Sequence, residues 1–447
     1  MLSLMLVFSD CASKSPRYID LMPAPDIYSD DGINPFADIS HIADSPYWGM
    51  LYATDRVPED IETTEKPQGK FYTNERGHLL RLGLAKILLG EYDFTWEQAR
   101  QISLAWNRLE KYPLKVGVVE EFEVLDRSFH PFVDKELLRL KSPEPAQRFA
   151  TSINNKLAIS EQKDIFIYVH GYLVVFENPV SVASELWHFL GYEGVFITYS
   201  WPSTPSRWAY LKDAETTTTT AYHLRTFLEY LADQTDVERI HILAYSQGTR
   251  LVIRTLHNLA LMHRGEPRHH TLEKLRIGSV ILVGSDIDRQ AMGMYLLDGL
   301  LNVIEYLTVY ASEKDQAMGA SQILFGRERV GQMFASAEVK SSTGEFLLKT
   351  PEFRAINVTE AEGATSGRGH AYFRSSPWAS SDILMTLRFD LSPAERGLVR
   401  SDDNAIWTFP PDYISRLREA IVKVNPALGG RLKSQEAVDD KPDKQMQ

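Results

Sequence analysis

The sequence contains a single cysteine, Cys11, among its 447 residues. One thiol cannot form an intrachain disulfide, and a position this close to the N-terminus does not suggest a catalytic thiol. No apolar run reaches the length of about 18 residues that a membrane-spanning helix needs. The twelve histidines show no spacing typical of a metal site, so the sequence predicts neither a metal nor another cofactor.

Basic charge is also scarce. Lys and Arg number 48 against 60 Asp and Glu, which gives a formal net charge of −12. A nucleic-acid-binding protein usually carries a basic domain or stripe, and we find none, so we expect no nucleic-acid partner. Hydrophobic residues make up 44% and charged residues 24%, which are the values of a globular protein with a sizeable core.

The texture of the sequence changes along the chain. Residues 1–45 predict a signal-like segment and a tether, and residues 46–160 predict a small mixed α/β extension with short strands at 71–77 and 79–89 and a helix at 96–109. A regular pattern over 161–395 predicts the main α/β domain. Residues 396–447 predict a C-terminal helix and a polar, disordered tail.

The N-terminus resembles a bacterial lipoprotein signal, in which a lipidated cysteine follows a short apolar region. The apolar stretch Met1–Phe8 precedes Cys11. This interpretation implies membrane attachment through Cys11 at the cell envelope. However, no Lys or Arg precedes the apolar stretch, and Asp10 stands where a small residue is usual. The alternative is an irregular N-terminus of a cytoplasmic protein, and both interpretations stay open.

Short apolar runs alternate with amphipathic stretches from Asp164 onward. The runs are Ile165–Val169, Val195–Tyr199, Ile240–Ala244, Val280–Val283, Leu307–Ala311 and Arg354–Val358. This alternation predicts a mostly parallel, doubly wound sheet with helices on both faces. Ligands bind outside the carboxyl ends of the strands in such sheets. The polar residues that follow each run are therefore the candidates for a functional site.

Ser246 is the strongest candidate nucleophile. The run Ile240–Tyr245 leads directly into Ser246-Gln247-Gly248 and an amphipathic helix. A serine at a strand-to-helix elbow is held on a strained turn with its hydroxyl exposed at the sheet edge. The backbone N–H of Gln247 would lie at the helix N-terminus, where partial positive charge favours an oxyanion. The alternative is that Ser246 serves only as a helix N-cap.

A second oxyanion donor is expected after the first of these strands. His170-Gly171-Tyr172 follows Ile165–Val169. Gly171 permits a close backbone approach, and the N–H of Tyr172 or of its neighbour would donate to the developing O⁻. We interpret His170 as a residue that shapes this loop and not as the catalytic base.

The serine needs a base, and the base needs an orienting carboxylate. Because the usual order in such chains is serine, acid, histidine, His370 in a glycine-rich loop is the favoured base. Asp315, after the run Leu307–Ala311, is the favoured acid. Asp286, one strand earlier, is the alternative acid, or it orders its loop or contacts substrate. Asp288 and Glu313 are less favoured.

Trp201 follows the run Val195–Tyr199 and precedes Pro202. One interpretation is that Trp201 lines the substrate pocket. The other is that it is a core aromatic residue beside a turn shaped by the proline.

Together these motifs resemble a family of bacterial α/β-hydrolases, within the esterase/lipase superfamily, that is grouped as a domain of unknown function. The resemblance covers about residues 47–390. The matching segments, in chain order, are Tyr52–Arg56, Tyr72–Gly77, Val169–Tyr172, Ser200–Ser203, Ser246–Gly248, Ser285–Asp288, the Asp315 loop and Gly369–Phe373.

The resemblance implies an α/β-hydrolase fold and serine-hydrolase chemistry, and members of the family often look like lipoproteins. This sequence departs from the family pattern at three positions near the nucleophile. Tyr245 stands where His is usual, Gln247 where Met is usual and Thr249 where Asn is common. We expect the elbow to survive these changes, which alter the polarity of the pocket.

We therefore expect hydrolysis of a small-molecule carboxylic ester by Ser246, His370 and Asp315, without a cofactor. Thioester and amide substrates stay open. The alternative, from another functional class, is a catalytically silent hydrolase fold that acts as a binding protein of the cell envelope, since a fold by itself does not decide function.

Overall fold

The structure is a computed structural model that describes residues 18–29, 33–36, 49–59, 71–90, 94–105, 108–332, 342–365, 369–402, 404–426 and 428–429. Cys11 and the residues after 429 lie outside the described residues, so the predictions that concern them stay predictions. In the described part of the chain, no helix is long and apolar enough to cross a membrane.

The described residues form one sheet of eleven strands. In chain order the strands are β1 (Tyr18–Asp20), β2 (Met50–Pro58), β3 (Tyr72–Leu89), β4 (Pro113–Val124), β5 (Ile165–Val169), β6 (Val195–Tyr199), β7 (Ile240–Tyr245), β8 (Ile277–Val283), β9 (Tyr306–Ala311), β10 (Phe353–Asn357) and β11 (Ile406–Thr408). The six apolar runs of the sequence correspond to β5 to β10, because a strand buried on both faces has no polar side to interrupt it.

The strands lie in the order β1-β4-β3-β2-β6-β5-β7-β8-β9-β10-β11. From β2 to β11 in that order, neighbouring strands are parallel, whereas β3, β4 and β1 pair antiparallel at one edge. The predicted mostly parallel sheet is therefore confirmed. The extension at 46–160 contributes strands to this same sheet, since β2 pairs with β6.

The described residues form twelve α-helices, most of which connect parallel strands. They are α1 (Trp96–Leu104), α2 (Glu144–Ile159), α3 (Glu177–Phe189), α4 (Tyr210–Gln234), α5 (Gly248–Met262), α6 (Arg268–Leu275), α7 (Arg289–Leu297), α8 (Gln316–Phe325), α9 (Ser342–Leu348), α10 (Tyr372–Ser375), α11 (Pro377–Phe389) and α12 (Tyr413–Val424).

The core lies on both faces of the sheet because successive strand residues point in opposite directions. Ile165, Ile167 and Val169 of β5 belong to a cluster that includes residues of α2, α4 and α5. Phe166 and Tyr168 belong to the opposite cluster, with residues of α3, α11 and α12. Helices on both faces are thus confirmed.

Two local expectations for the extension are wrong. Residues 72–89 form the single strand β3 and not two short strands. The predicted break after Gly77 is absent because β3 continues along β2, with register shifts near Thr54, Arg56 and Pro58. The helix predicted for 96–109 ends at Leu104, before Ala105 turns to an extended backbone conformation.

Candidate active site

Ser246 occupies the turn between β7 and α5, with a backbone φ of +52°. This left-handed conformation costs a residue other than glycine about 1–3 kcal/mol unless its surroundings impose it. The Ser246 N–H donates to the carbonyl of Val283 on β8 at 2.9 Å. The Thr249 hydroxyl donates to the Ser246 carbonyl at 2.6 Å. Contacts on both sides of the serine thus hold the strained turn.

Two glycines allow the backbone to close around Ser246. A Cβ built on Gly248 would lie 2.2 Å from the carbonyl oxygen of His170, so helix α5 can begin here only if this residue lacks a side chain. A Cβ built on Gly171 would lie 2.9 Å from the Cβ of Ser246 and 3.4 Å from its Oγ. The loop after β5 therefore lies directly against the serine side chain.

His370 and Asp315 meet Ser246 at the carboxyl edge of the sheet. The Nε2 atom of His370 lies 2.8 Å from Ser246 Oγ. The Nδ1 atom lies 2.7 Å from Asp315 Oδ2. These distances are typical of hydrogen bonds. The structure thus brings together the three residues that the sequence predicts as nucleophile, base and favoured acid.

Asp315 is buried and is held by the helix that it caps. Its Oδ1 atom accepts from the backbone N–H groups of Ala317 and Met318 at the start of α8, each at 3.0 Å. The N-terminal end of a helix stabilises negative charge. One carboxylate oxygen is therefore fixed by the helix, and the other faces His370.

The His370 ring fits into space left by glycine and is bordered by a tyrosine. A Cβ built on Gly284 would lie 2.8 Å from His370 Cε1, and Gly284 has a φ of +53°. The Tyr372 hydroxyl accepts from the Gly284 N–H at 2.8 Å and donates to the Tyr310 carbonyl at 2.7 Å. This hydroxyl joins the ends of β8 and β9 to the His370 loop.

The family model of alpha/beta hydrolases of unknown function (DUF900) matches residues 146–388. The chain belongs to this family. The match spans more than half of the chain and includes Ser246, Asp315 and His370, but it excludes strands β1 to β4. The resemblance that the motifs indicate and the α/β-hydrolase fold are thereby confirmed. No curated protein matches the chain.

The departures from the family pattern have structural consequences in this hydrolase. The Tyr245 ring packs against His370 with ring centroids 4.9 Å apart. Gln247 is completely buried, and its Nε2 donates to the carbonyl of Tyr210 at 2.9 Å. Thr249 also accepts from the Asp286 N–H at 3.2 Å, which links the elbow to the loop after β8.

The loop after β5 carries Tyr172, the predicted oxyanion donor, and lies against Ser246 at Gly171. The Nδ1 atom of His170 lies 2.6 Å from the Gly171 carbonyl oxygen. The N–H of Tyr172 belongs to the same peptide unit as that carbonyl and points the opposite way in a trans peptide. Gly171 lies against Ser246. The orientation of the peptide between Gly171 and Tyr172 therefore determines whether the Tyr172 N–H points toward the serine.

His170 and Trp201 form a buried stack. Their rings are 5.2 Å apart and nearly parallel, and the Trp201 indole N–H donates to the His170 carbonyl at 2.6 Å. Because Trp201 is completely buried, the structure supports a core aromatic residue and not a pocket wall. Burial, and then the positive charge of Arg56, hold the pKa of His170 well below its ordinary value, which leaves a weak base.

Asp286, the alternative acid, is engaged elsewhere. Its Oδ2 accepts from Arg250 at 2.8 Å and from the Tyr210 hydroxyl, and its Oδ1 accepts from Ser321 at 2.5 Å. Arg329 lies 3.6 Å from Oδ1. Asp286 therefore connects α4, α5 and α8 around the site, whereas Asp315 contacts His370. This is the loop-ordering role that the sequence left open for Asp286.

Asp288 and Glu313, the less favoured acids, do not take the place of Asp315 beside His370. The Asp288 side chain caps α7 by accepting from the Ala291 N–H at 2.9 Å. Glu313 is exposed, and the Nδ1 atom of His370 is bonded to Asp315. Among the described residues, no group of three or more His, Cys, Asp or Glu side chains is arranged to hold a metal ion.

Sequence reasoning missed two residues that shape the site, Tyr372 and Arg56. Tyr372 lies two residues after His370 and is completely buried. In the sequence it cannot be distinguished from an ordinary core aromatic residue. Arg56 follows the apolar start of β2 in the sequence, and the structure buries it completely. A charged residue that strand periodicity directs inward needs buried acceptors.

Proposed function

We propose that this α/β hydrolase cleaves carboxylic esters through an acyl-enzyme on Ser246. The observation that carries the proposal is the continuous hydrogen-bond chain from Asp315 through His370 to Ser246 Oγ. A nucleophile within hydrogen-bond reach of a base, with the base oriented by a third group, is the arrangement that activates serine. The positive φ of Ser246 and its place after β7 agree with a nucleophile elbow.

In the proposed mechanism, Ser246 Oγ attacks the ester carbonyl while His370 Nε2 takes the hydroxyl proton. Asp315 accepts from Nδ1–H, which sets the tautomer and stabilises the imidazolium. The tetrahedral intermediate collapses as His370 returns the proton to the leaving alcohol. A water molecule, deprotonated by His370, then attacks the acyl-enzyme, and the acid and free Ser246 are released.

The developing oxyanion is stabilised by backbone N–H groups in this proposal. The Gln247 N–H lies at the start of α5, where the helix dipole adds positive potential. The Tyr172 N–H is the second donor, and Gly171 allows it to come close. Removing one such donor costs about 10²- to 10³-fold in kcat in enzymes of this type.

The first experiment is labelling with a fluorophosphonate probe, followed by mass-spectrometric site mapping. We expect labelling at Ser246, no labelling of Ser246→Ala and normal labelling of Ser152→Ala, whose hydroxyl is bonded to the Arg148 carbonyl on remote α2. Esters of short and long acids then define the acyl preference, with thioesters and amides as comparison.

An unlabelled but folded wild-type protein would contradict the proposal. That result would favour the alternative in which the hydrolase fold serves only for binding. Labelling at a serine other than Ser246 would also contradict it, because the elbow would not then carry the nucleophile.

A further inference from the structure

Arg56 is a buried cation at the end of β2, outside the part of the chain that the family model matches. Its side chain is completely buried. Its Nε donates to Ser200 Oγ at 3.2 Å, and its Nη1 donates to Asn74 Oδ1 at 2.9 Å. Its Nη2 donates to the Val174 carbonyl at 3.2 Å. Weaker contacts to the carbonyls of Thr73 and Ser203 complete the set.

These acceptors come from three separate segments of the chain. Asn74 lies on β3, and Ser200 and Ser203 follow β6. Val174 belongs to the loop between β5 and α3, which also carries Gly171 and Tyr172. The planar guanidinium donates in several fixed directions at once, which suits it to join segments in one geometry.

The loop that Arg56 holds is strained and needs such support. Leu173, between Tyr172 and Val174, has a φ of +69°. A left-handed leucine persists only where the surrounding structure imposes it. Ser203 reinforces Arg56 here, because its Oγ donates to the Val174 carbonyl at 2.9 Å and accepts from the Val174 N–H at 3.3 Å. His170 contacts the other end of the loop at Gly171.

We propose that Arg56 is a positioning residue for the oxyanion hole, which it serves by holding Val174 and thereby the direction of the Tyr172 N–H. This inference rests on the proposed function. Arg56 does not touch the reacting atoms, and its effect passes through the loop. A donor displaced by about 1 Å costs on the order of 10²-fold in rate, which is the size of effect that a loosened loop would have.

The test compares variants of Arg56 and Ser203 with a matched arginine control. Arg56→Met removes every bond of the guanidinium, and Arg56→Lys keeps the charge but not the fork. Ser203→Ala removes the two Val174 bonds without leaving a large cavity. Arg76→Ala is the control, since Arg76 lies on β3 opposite Arg56 but is exposed, with its guanidinium bonded to Thr219 at 3.0 Å.

We expect kcat for an ester to fall about 10²-fold in Arg56→Met and less in Arg56→Lys and Ser203→Ala, with KM unchanged. Hydrogen exchange at 171–175 should rise in the same order, because the loop opens more easily. Arg76→Ala should match the wild type in both measurements. If Arg56 had a purely structural role, its replacement would lower the melting temperature, and kcat would not fall selectively while KM stays unchanged.

Unchanged kcat and unchanged exchange at 171–175 in folded Arg56→Lys and Ser203→Ala would overturn the inference. Ser203→Ala decides the question if Arg56→Met does not fold. If the wild type neither labels nor turns over, the proposed function fails separately, and exchange at 171–175 alone then decides whether Arg56 holds this loop.

Discussion

Gly171 shows how one missing methyl group shapes the site at the residue scale. A Cβ at this position would meet the Cβ of Ser246 at 2.9 Å, closer than side chains normally approach. Because both residues belong to short segments fixed by backbone bonds, the clash would move the loop or turn the serine. The same argument does not apply to Gly293 on α7, where a Cβ would meet nothing within 4 Å.

We predict that Gly171→Ala lowers kcat by about 10²-fold or more, since it displaces a donor or the nucleophile. Gly293→Ala should keep full activity and raise the free energy of unfolding by about 0.5–1 kcal/mol, because alanine favours the helix. Steady-state kinetics and urea unfolding check both. Wild-type kinetics in Gly171→Ala would show that the contact with Ser246 is not restrictive.

Two aspartates at strand ends differ in what they contact. Asp315 bonds to His370, whereas Asp286 bonds to Tyr210, Arg250 and Ser321. We predict that Asp315→Asn lowers kcat by about 10⁴-fold through the wrong histidine tautomer. Asp286→Asn should retain most of its kcat and lose stability, because two arginines lose their carboxylate. Kinetics and unfolding of the two variants are measured side by side. If Asp286→Asn lost more kcat than Asp315→Asn, then Asp286 and not Asp315 would act as the acid.

At the scale of elements, short helix α10 follows His370 and is tied to α3 by an ion pair whose carboxylate is completely buried. Arg374 donates to Glu185, and Glu185 also accepts from the Met22 N–H at 2.9 Å. Arg374 in turn donates to the Asp20 carbonyl at 2.8 Å. The pair thus connects the His370 loop, α3 and the edge strand β1.

We predict that Glu185→Gln lowers the free energy of unfolding by about 1–3 kcal/mol, because the partly buried Arg374 loses its carboxylate partner. The exposed pair of Arg416 on α12 and Asp412, which directly precedes α12, provides the control, and Asp412→Asn should change stability little. Urea unfolding measures both. A double-mutant cycle with Arg374→Met isolates the coupling, and a negligible coupling would contradict the prediction.

At the scale of the whole molecule, several histidines are buried in their neutral form. Burial, with Arg108 and Arg100 nearby, lowers the pKa of His188 to about 3. Its ring contacts the hydroxyls of Tyr192 and Ser103, each at 2.7 Å. Burial also lowers the pKa of His223 to about 4. Below about pH 6.5 these histidines take up protons in the unfolded chain but stay neutral in the folded protein. The free energy of unfolding therefore decreases as the pH is lowered.

We predict that His188 alone costs the wild type about 2 kcal/mol of stability between about pH 7 and about pH 5. His188→Gln should reduce the pH slope of stability by that amount whatever its stability at neutral pH, and exposed His270→Gln should keep the slope of the wild type. Urea unfolding across this pH range gives the slopes. Identical pH slopes of stability for His188→Gln and the wild type would show that His188 does not contribute to this pH dependence.

Asp55 acts in the opposite direction. Burial raises the pKa of Asp55 to about 6, so the folded protein holds a proton that the unfolded chain has released. Its contribution to stability is complete below about pH 4 and is lost as the pH rises through about 6. The acid dependence of the wild type is therefore a sum of opposing contributions, and only the variants separate them.

The parallel strands and the three residues of the candidate triad were predictable because each carries a local signal. Buried strands are continuous apolar runs, and polar residues at their ends mark the edge where ligands bind. The break predicted between the strands 71–77 and 79–89 does not occur, because β3 continues alongside β2 across two register shifts and Asn74 reaches buried Arg56. That reason lies in another segment of the chain.

The sequence by itself determined the class of the fold and the order of the candidate nucleophile, acid and base, since periodicity and strand-end residues are local properties. Only the tertiary structure decided which aspartate faces His370, that Trp201 belongs to the core and that Arg56 donates to Val174. Those outcomes depend on distances between residues far apart in the chain, such as Arg56 and Val174. Such distances are set by the packing of the whole sheet and not by any neighbouring residue.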